Sequence, residues 1–340
     1  MFATVPLALN SGERHYPEAS MLAIKDKWIW DFWLSEGGAK WHIFFLQADK
    51  SLGDPELRHW NATYGHATSS DLVNWTHLGT CFRPAPAPAW DDKTTWTGSV
   101  IKHDAGLWHL FYTGTSKAED GRKQRIGHAT STDLHNWSRV GTGLVLDINT
   151  KLYEEYHNGP WDGRAMRDPW VMRDPDGKGW IMYFTARVPH GAEMNARGAI
   201  GFARSDDLNS WRLEKPVFAG AFGQLEVPQV FNIGDDWYCL FCNAGEHWSK
   251  AYAAGAPTKP VTGTHYLMAK SHLGPWRVAP GPYLDGADPC RRYAGKIVQQ
   301  NGGLELMGFD CWDANGVFAG TVGAPARVLR DEKSGLLRLA

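Results

Sequence analysis

One short phrase recurs four times along this 340-residue chain: YGHATSSDLVNW at 64–75, IGHATSTDLHNW at 126–137, IGFARSDDLNSW at 200–211 and, more loosely, HYLMAKSHLGPW at 265–276. The starts are 62, 74 and 65 residues apart. Each copy reads as a strand, a turn rich in Ser and Asp, and a closing Trp. An apolar strand precedes each copy: WHIFFLQ from Trp41, LWHLFYTG from Leu107, GWIMYFTA from Gly179 and DWYCLFCN from Asp236. A fifth, LELMGFD from Leu304, follows the last copy. Before each of these comes one more strand: WIWDFWL, TWTGSVI, RDPWVMR, LEVPQVF and YAGKIVQ. Five units of about four short strands, with almost no helical periodicity, predict an all-β fold. The architecture expected is a five-bladed β-propeller of four-stranded blades, whose first strands line the central channel. The unit length exceeds the usual propeller period, so long loops must lie on at least one face. RPAPAPAW (83–90) falls inside a unit and reads as a stiff surface loop rather than a linker, so residues 1–340 are expected to form a single domain.

WIWDFWL raises a chemical question. Strict alternation would turn Trp28, Trp30 and Phe32 one way and Ile29, Asp31 and Trp33 the other, leaving no face suited to a carboxylate. A buried aspartate is either well hydrogen-bonded or functional. The propeller offers a place for it, because an inner strand packed between blades can be apolar on both faces and still end in a polar group at the channel mouth. The corresponding place in the other units holds Thr97, Gly98 and Ser99, then Asp168 in RDP, then Glu226 in EVP, then the YAGK strand. Three acids from separate blades therefore converge on one end of the channel. Glycosidic hydrolysis needs one carboxyl group as proton donor and a second as nucleophile or base. Crowding raises the pKa of such groups, as a donor requires. The alternative is that the three acids only accept bonds from turn amides.

Composition narrows the partner. A net charge of −2 and a pI near 6.7, with no basic cluster, give no electrostatic reason to bind nucleic acid or an anionic membrane. The 18 Trp residues suit stacking on sugar rings, although most single Trp side chains are core. Five scattered Cys do not make a disulfide framework, and the CLFC pair sits in a strand where i and i+3 face opposite ways, against a metal or redox site. No signal peptide precedes the first unit, so a cytoplasmic location is expected.

WHIFFLQ followed by HWNATYGHATSSDLVNW resembles the first blade of glycoside hydrolase family 32, the invertase and fructanase family. AWDDKTTWTGSVI is similar to its second-blade motif, and RDP and EVP to its third and fourth. LDGADPCRRYAGK resembles its Asp and Tyr-Ala segment, and PARVLRDEKSGLLRL the stretch that closes its propeller. The resemblance implies a retaining enzyme acting on β-fructofuranosides such as sucrose or short fructans, with a small oligosaccharide as partner and no cofactor. It implies Asp31 as nucleophile, Glu226 as acid/base and Asp168 as the group that binds fructose hydroxyls and stabilises the transition state. Arg167 would pair with nearby carboxylates. Gln47, Trp60, Trp96, Ser99 and Asp288 match positions around the sugar pocket.

Two features depart from the family. Asp31 lies in Trp-Asp-Phe-Trp rather than Asn-Asp-Pro-Asn-Gly, closer to the Trp-Asp-Ser-Trp of levansucrase family 68, so transfer to sugars could compete with water. The family's C-terminal β-sandwich is expected to be absent. An inverting family 43 arabinofuranosidase or xylosidase, and a sugar-binding propeller without catalysis, are the competing readings. Linkage, exo or endo action and oligomeric state are left open.

Overall fold

The computed structural model describes residues 21–103, 106–156, 163–281, 283–300 and 302–340. Five antiparallel sheets follow one another along the chain and form the blades of a propeller, as the repeats predict. Blade I comprises Lys27–Gly37, Lys40–Asp49, Thr63–Ser69 and Thr76–Phe82. Blade II comprises Thr94–Lys102, Trp108–Thr115, Arg125–Ser131 and Ser138–Leu146, and blade III Met166–Arg173, Trp180–Arg187, Gly198–Ser205 and Trp211–Ala219. Blade IV begins Glu226–Ile233, Asp236–Asn243 and Thr262–Ala269. Two short pieces, Arg277–Val278 and Asp285–Ala287, share its outer edge. In blade V, Arg292–Gln300 and Gly303–Trp312 are followed by a third position split between Phe318–Val322 and Ala326–Arg330, and then by Leu337–Leu339. No helix among the described residues is long and apolar enough to cross a membrane.

The blades are held face to face by apolar clusters. Trp30, Trp33 and Tyr64 of blade I meet Leu110 and Tyr112 of blade II. Phe111 of blade II meets Met182 and Phe184 of blade III, and Tyr183 and Phe202 of blade III meet Val230 and Phe241 of blade IV. Tyr238 and Leu240 of blade IV meet Ile297 and Leu306 of blade V. Ile29, Phe32 and Phe45 close the ring against Val298 and Met307, while Leu22 pairs with Val322 across the same seam. Burial on both sides is why the inner strands read as continuous apolar runs. The alternation expected for WIWDFWL is broken. Trp30 pairs with Leu46 and Phe32 with Phe45, so Asp31 is an extra residue in a bulge. Beyond it the faces exchange, and Trp33 joins Trp30 while Phe32 joins Ile29.

The recurrent phrase is structural. In blade I the Ser69 hydroxyl accepts from the Asp71 amide, and Asp71 accepts from the amides of Val73 and Asn74. Blades II and III repeat this with Ser131 and Asp133, and with Ser205 and Asp207. The turn forces Leu72, Leu134 and Leu208 to φ of 62, 65 and 65°, and each drives its side chain into a core cluster. Burial there offsets the cost of left-handed backbone at a non-glycine residue. Cys239 and Cys242 of CLFC lie in different clusters, as opposite faces require.

Stacked histidines occupy the second and third strands of blades I and II, joined by His135 from the turn after the third strand of blade II. His42 Nδ1 and His66 Nε2 are 2.9 Å apart, His66 Nδ1 and His135 Nδ1 3.1 Å, and His109 Nδ1 and His128 Nε2 2.8 Å. Burial pushes His66 and His128 down to about 3, so the unfolded chain binds more protons between pH 6.5 and 3. Their contribution to stability is complete above pH 6.5 and is lost as the pH falls towards 3. Each costs up to about 1.4 kcal/mol per pH unit inside that window. Urea midpoints measured from pH 7 to 4 are expected to fall, and His66→Gln to flatten the slope; an unchanged slope contradicts the assignment.

Candidate active site

Every inner strand carries one bulge at the same height. The extra residue is Asp31 in blade I and Thr97 in blade II. In blades III, IV and V the register slips between Arg167 and Trp170, Glu226 and Gln229, and Tyr293 and Lys296. Pro169 and Pro228 lie inside these slips, where a residue without an N–H is tolerated. Gly295 fills the same place in blade V because a Cβ there would come 2.3 Å from Thr264 Oγ1. Asp168, Val227 and Ala294 take φ of 57, 49 and 54°. Non-glycine residues held in this conformation concentrate at functional sites.

The register refines the sequence alignment. Arg167, Glu226 and Tyr293 occupy equivalent positions, and Asp168 is the counterpart of Val227 rather than of Glu226. The three equivalent side chains meet: Arg167 Nη2 donates to Glu226 Oε1 at 2.6 Å, and the Tyr293 hydroxyl donates to Glu226 Oε2. Arg167 also donates to Gln224 Oε1 at 2.9 Å, and its Nε lies 3.4 Å from Asp168 Oδ2. Asp168 is buried, accepting from Thr185 Oγ1 at 2.8 Å and the Val227 amide at 3.1 Å, while its own amide donates to Thr113 Oγ1. Asp31 accepts from Thr97 Oγ1 at 2.6 Å. Buried Lys296 donates to the Val227 carbonyl. Glu226 keeps 27% of its side chain exposed, so the set opens to solvent at Glu226 and is closed at Asp168.

The other expected residues are distributed differently. Trp96 and Trp60 pack at 5.7 Å, with the Trp96 indole donating to the His59 carbonyl at 2.6 Å and Lys93 over the Trp60 ring. Trp60 is 43% exposed, leaving an open aromatic surface beside Trp96, whose neighbour in the chain, Thr97, donates to Asp31. Gln47 is buried within blade I, donating to Thr80 Oγ1 at 2.8 Å, and Ser99 is buried, accepting from the Val171 amide between blades II and III. Asp288 is exposed in the loop before the inner strand of blade V. Thr97, Thr185, Tyr293 and Lys296 were not singled out as site residues from the sequence. Tyr293 and Lys296 flank the bulge of YAGK, the segment the repeats place level with the three acids, and that alignment was the one signal in the sequence pointing to them.

Burial, and next the charge of Asp168, pushes Asp31 up to about 7 against the opposing bond from Thr97. Burial also raises Asp168, with Arg167 opposing. For Glu226 burial acts upward, but the Arg167 charge and the Tyr293 hydrogen bond outweigh it and hold the carboxylate below its usual range. The ligand-free site at pH below about 7 thus carries a proton on Asp31 while Glu226 stays ionised. Moving it to Glu226 leaves the charge of the trio unchanged. Covering the exposed edge of Glu226 with a bound sugar would remove water from its carboxylate and favour that move. An apolar cavity of about 440 Å³ between the outer parts of blades IV and V, lined by Tyr252, Tyr283 and Leu336, contains none of the three acids.

Comparison with known proteins bears on the family and the fold. The model of the glycosyl hydrolases family 32 N-terminal domain matches residues 32–279. A sucrose-6-phosphate hydrolase of Escherichia coli is 27% identical over 257 residues, covering 72% of this chain and 47% of the relative. The solved inulosucrase from Halalkalicoccus jeotgali bound to kestose superposes with a TM-score of 0.78 at 20% identity, covering 97% of this chain and 92% of that one. Bacillus subtilis levansucrase gives a TM-score of 0.74 at 17% identity, covering 95% and 88%. These two structures share the fold. The chain spans about half the length, or less, of the curated relatives it matches.

Proposed function

The chain belongs to glycosyl hydrolase family 32, and from that premise we propose that it is a retaining β-fructofuranosidase acting on sucrose or short fructans. The observation that carries the reading is one set of three carboxylates from three blades, in which Arg167 bridges Asp168 and Glu226, Asp31 feels the charge of both, and the set is open to solvent at Glu226. The family match favours this chemistry over an inverting family 43 enzyme.

Glu226, carrying the shared proton, donates it to the glycosidic oxygen as the Asp31 carboxylate attacks C2 of the fructosyl ring. The C2–O bond breaks, the leaving sugar departs neutral, and an ester joins Asp31 to C2. Ionised Glu226 then takes a proton from water as the water oxygen attacks C2, which frees Asp31 and gives fructose of retained configuration. Asp168, held by Thr185 and the Val227 amide, is oriented to accept from fructose hydroxyls and to stabilise positive charge at C2. Trp60 and Trp96 offer an aromatic surface to the leaving sugar, and a sugar hydroxyl bound there can replace water, giving fructosyl transfer.

Proton NMR of sucrose turnover tests the reading, with β-fructofuranose expected before mutarotation. Release of the α-anomer first, or no turnover of sucrose, inulin or levan, overturns it. The shared proton also sets the pH dependence. As the pH rises through about 7 the trio loses that proton and Glu226 has none to donate, so kcat/KM is expected to fall on the alkaline side. A profile flat from pH 6 to 9 contradicts this.

A further inference from the structure

Blades III and IV meet in a second group of ligating side chains, at the opposite end of the ring from the acids. The inner strand Met166–Arg173 enters at Arg167, beside Glu226, and leaves at Arg173, so Asp174 and Asp176 lie in the hairpin beyond its far end. His272 lies in the turn after Thr262–Ala269 of blade IV. Asp174 is 3% and His272 5% exposed, and Asp176 is at the surface. One ligand atom from each of the three lies within 4.8 Å of the others.

The imidazole carries the argument. His272 Nε2 is buried, has no hydrogen-bond partner, and lies 3.5 Å from Asp174 Oδ1 without hydrogen-bond geometry. An orphaned buried ring nitrogen is costly unless something occupies the space in front of it. The spacing suits a shared cation, because two ligands of a tetrahedral zinc at about 2.1 Å lie about 3.4 Å apart. The ring is anchored independently of any ion: the Tyr183 hydroxyl donates to the His272 carbonyl at 2.7 Å, and Trp237 packs on the ring at 5.5 Å. Burial keeps the imidazole neutral, with a lone pair available.

Charged neighbours temper the site. Arg204 donates to Asp174 Oδ2, the Asp176 amide donates to Asp174 Oδ1 at 3.0 Å, and exposed Lys178 stands 3.7 Å from Asp176. Oδ1 retains a second lone pair, and an ion pair as exposed as Lys178–Asp176 is weak enough to yield. We propose that Asp174, Asp176 and His272 bind one zinc-class divalent cation that ties blade III to blade IV. One imidazole with two carboxylates and an open fourth position for water fits zinc better than calcium or magnesium, which take oxygen alone.

The test is titration of the full, chelator-treated chain with zinc chloride, followed by calorimetry and thermal unfolding, with calcium and magnesium chlorides in parallel. One zinc per chain and a rise in Tm specific to zinc are expected. Asp176→Asn should weaken binding at least about tenfold, and His272→Gln likewise. Asp176 is exposed, so its variant reports even if the His272 variant fails to fold. No saturable binding, an equal response to calcium, or undiminished zinc binding by Asp176→Asn would overturn the site.

Discussion

Asp31→Ala is expected to lower kcat on sucrose by about 10⁴-fold or more, the scale on which removal of a catalytic nucleophile acts. The loss arises because no other described carboxylate can take its place. Asp168 is committed to Thr185 and the Val227 amide, and Glu226 is held by Arg167 and Tyr293. Folding should not suffer. A carboxyl whose folded value is raised to about 7 releases its proton sooner in the unfolded chain, so between its ordinary value and pH 7 it progressively destabilises the native state. Asp31→Asn should therefore show a Tm at pH 8 equal to or above that of the parent while being inactive, a cost of function held in the active site. Steady-state kinetics beside thermal melts check both halves. A variant retaining a tenth of the parental kcat removes Asp31 from the mechanism, and a lower Tm means the carboxylate is structural.

The propeller was legible because three of its five units repeat one turn and a fourth keeps its outline. Ser and Asp two residues apart, with Leu behind them, build the same hydrogen bonds in blades I, II and III, so the phrase survives as text. The three acids were legible because each sits in an inner strand otherwise made of core residues. Their relation was not. A bulge inserts one residue without a mark in the sequence, and it decides that Arg167 rather than Asp168 lies level with Glu226. Period-two counting therefore turned Phe32 and Trp33 to the wrong faces. Tyr293 and Lys296 were obscured for another reason, since blade V contributes no acid and a search for carboxylates passes over its inner strand. Gln47 and Ser99 were legible only as matches to a family pattern, and the structure adds where they lie: inside blade I against Thr80, and between blades II and III against the Val171 amide.

Glu226→Ala is expected to lower kcat on sucrose by about 10²- to 10⁴-fold, the usual contribution of general acid–base catalysis. Its loss should differ in kind from that of Asp31, because it depends on the leaving group. Sucrose leaves as an alkoxide unless protonated, so its first step needs the acid; fructosyl fluoride leaves as fluoride and does not. With the fluoride, Asp31 can still form the ester in the Glu226 variant, and the slow step becomes attack by water without a base. A small anion that needs no deprotonation should relieve that step. Azide is expected to restore turnover of fructosyl fluoride and to yield β-fructosyl azide, the product of two inversions at C2. The space left by the Glu226 side chain, next to the cationic Arg167, suits an anion of that size. Product analysis by NMR reads the outcome directly. An α-configured azide would mean that no ester to Asp31 forms. Equal losses on sucrose and fluoride, without azide rescue, would show that Glu226 holds Arg167 in place and moves no proton.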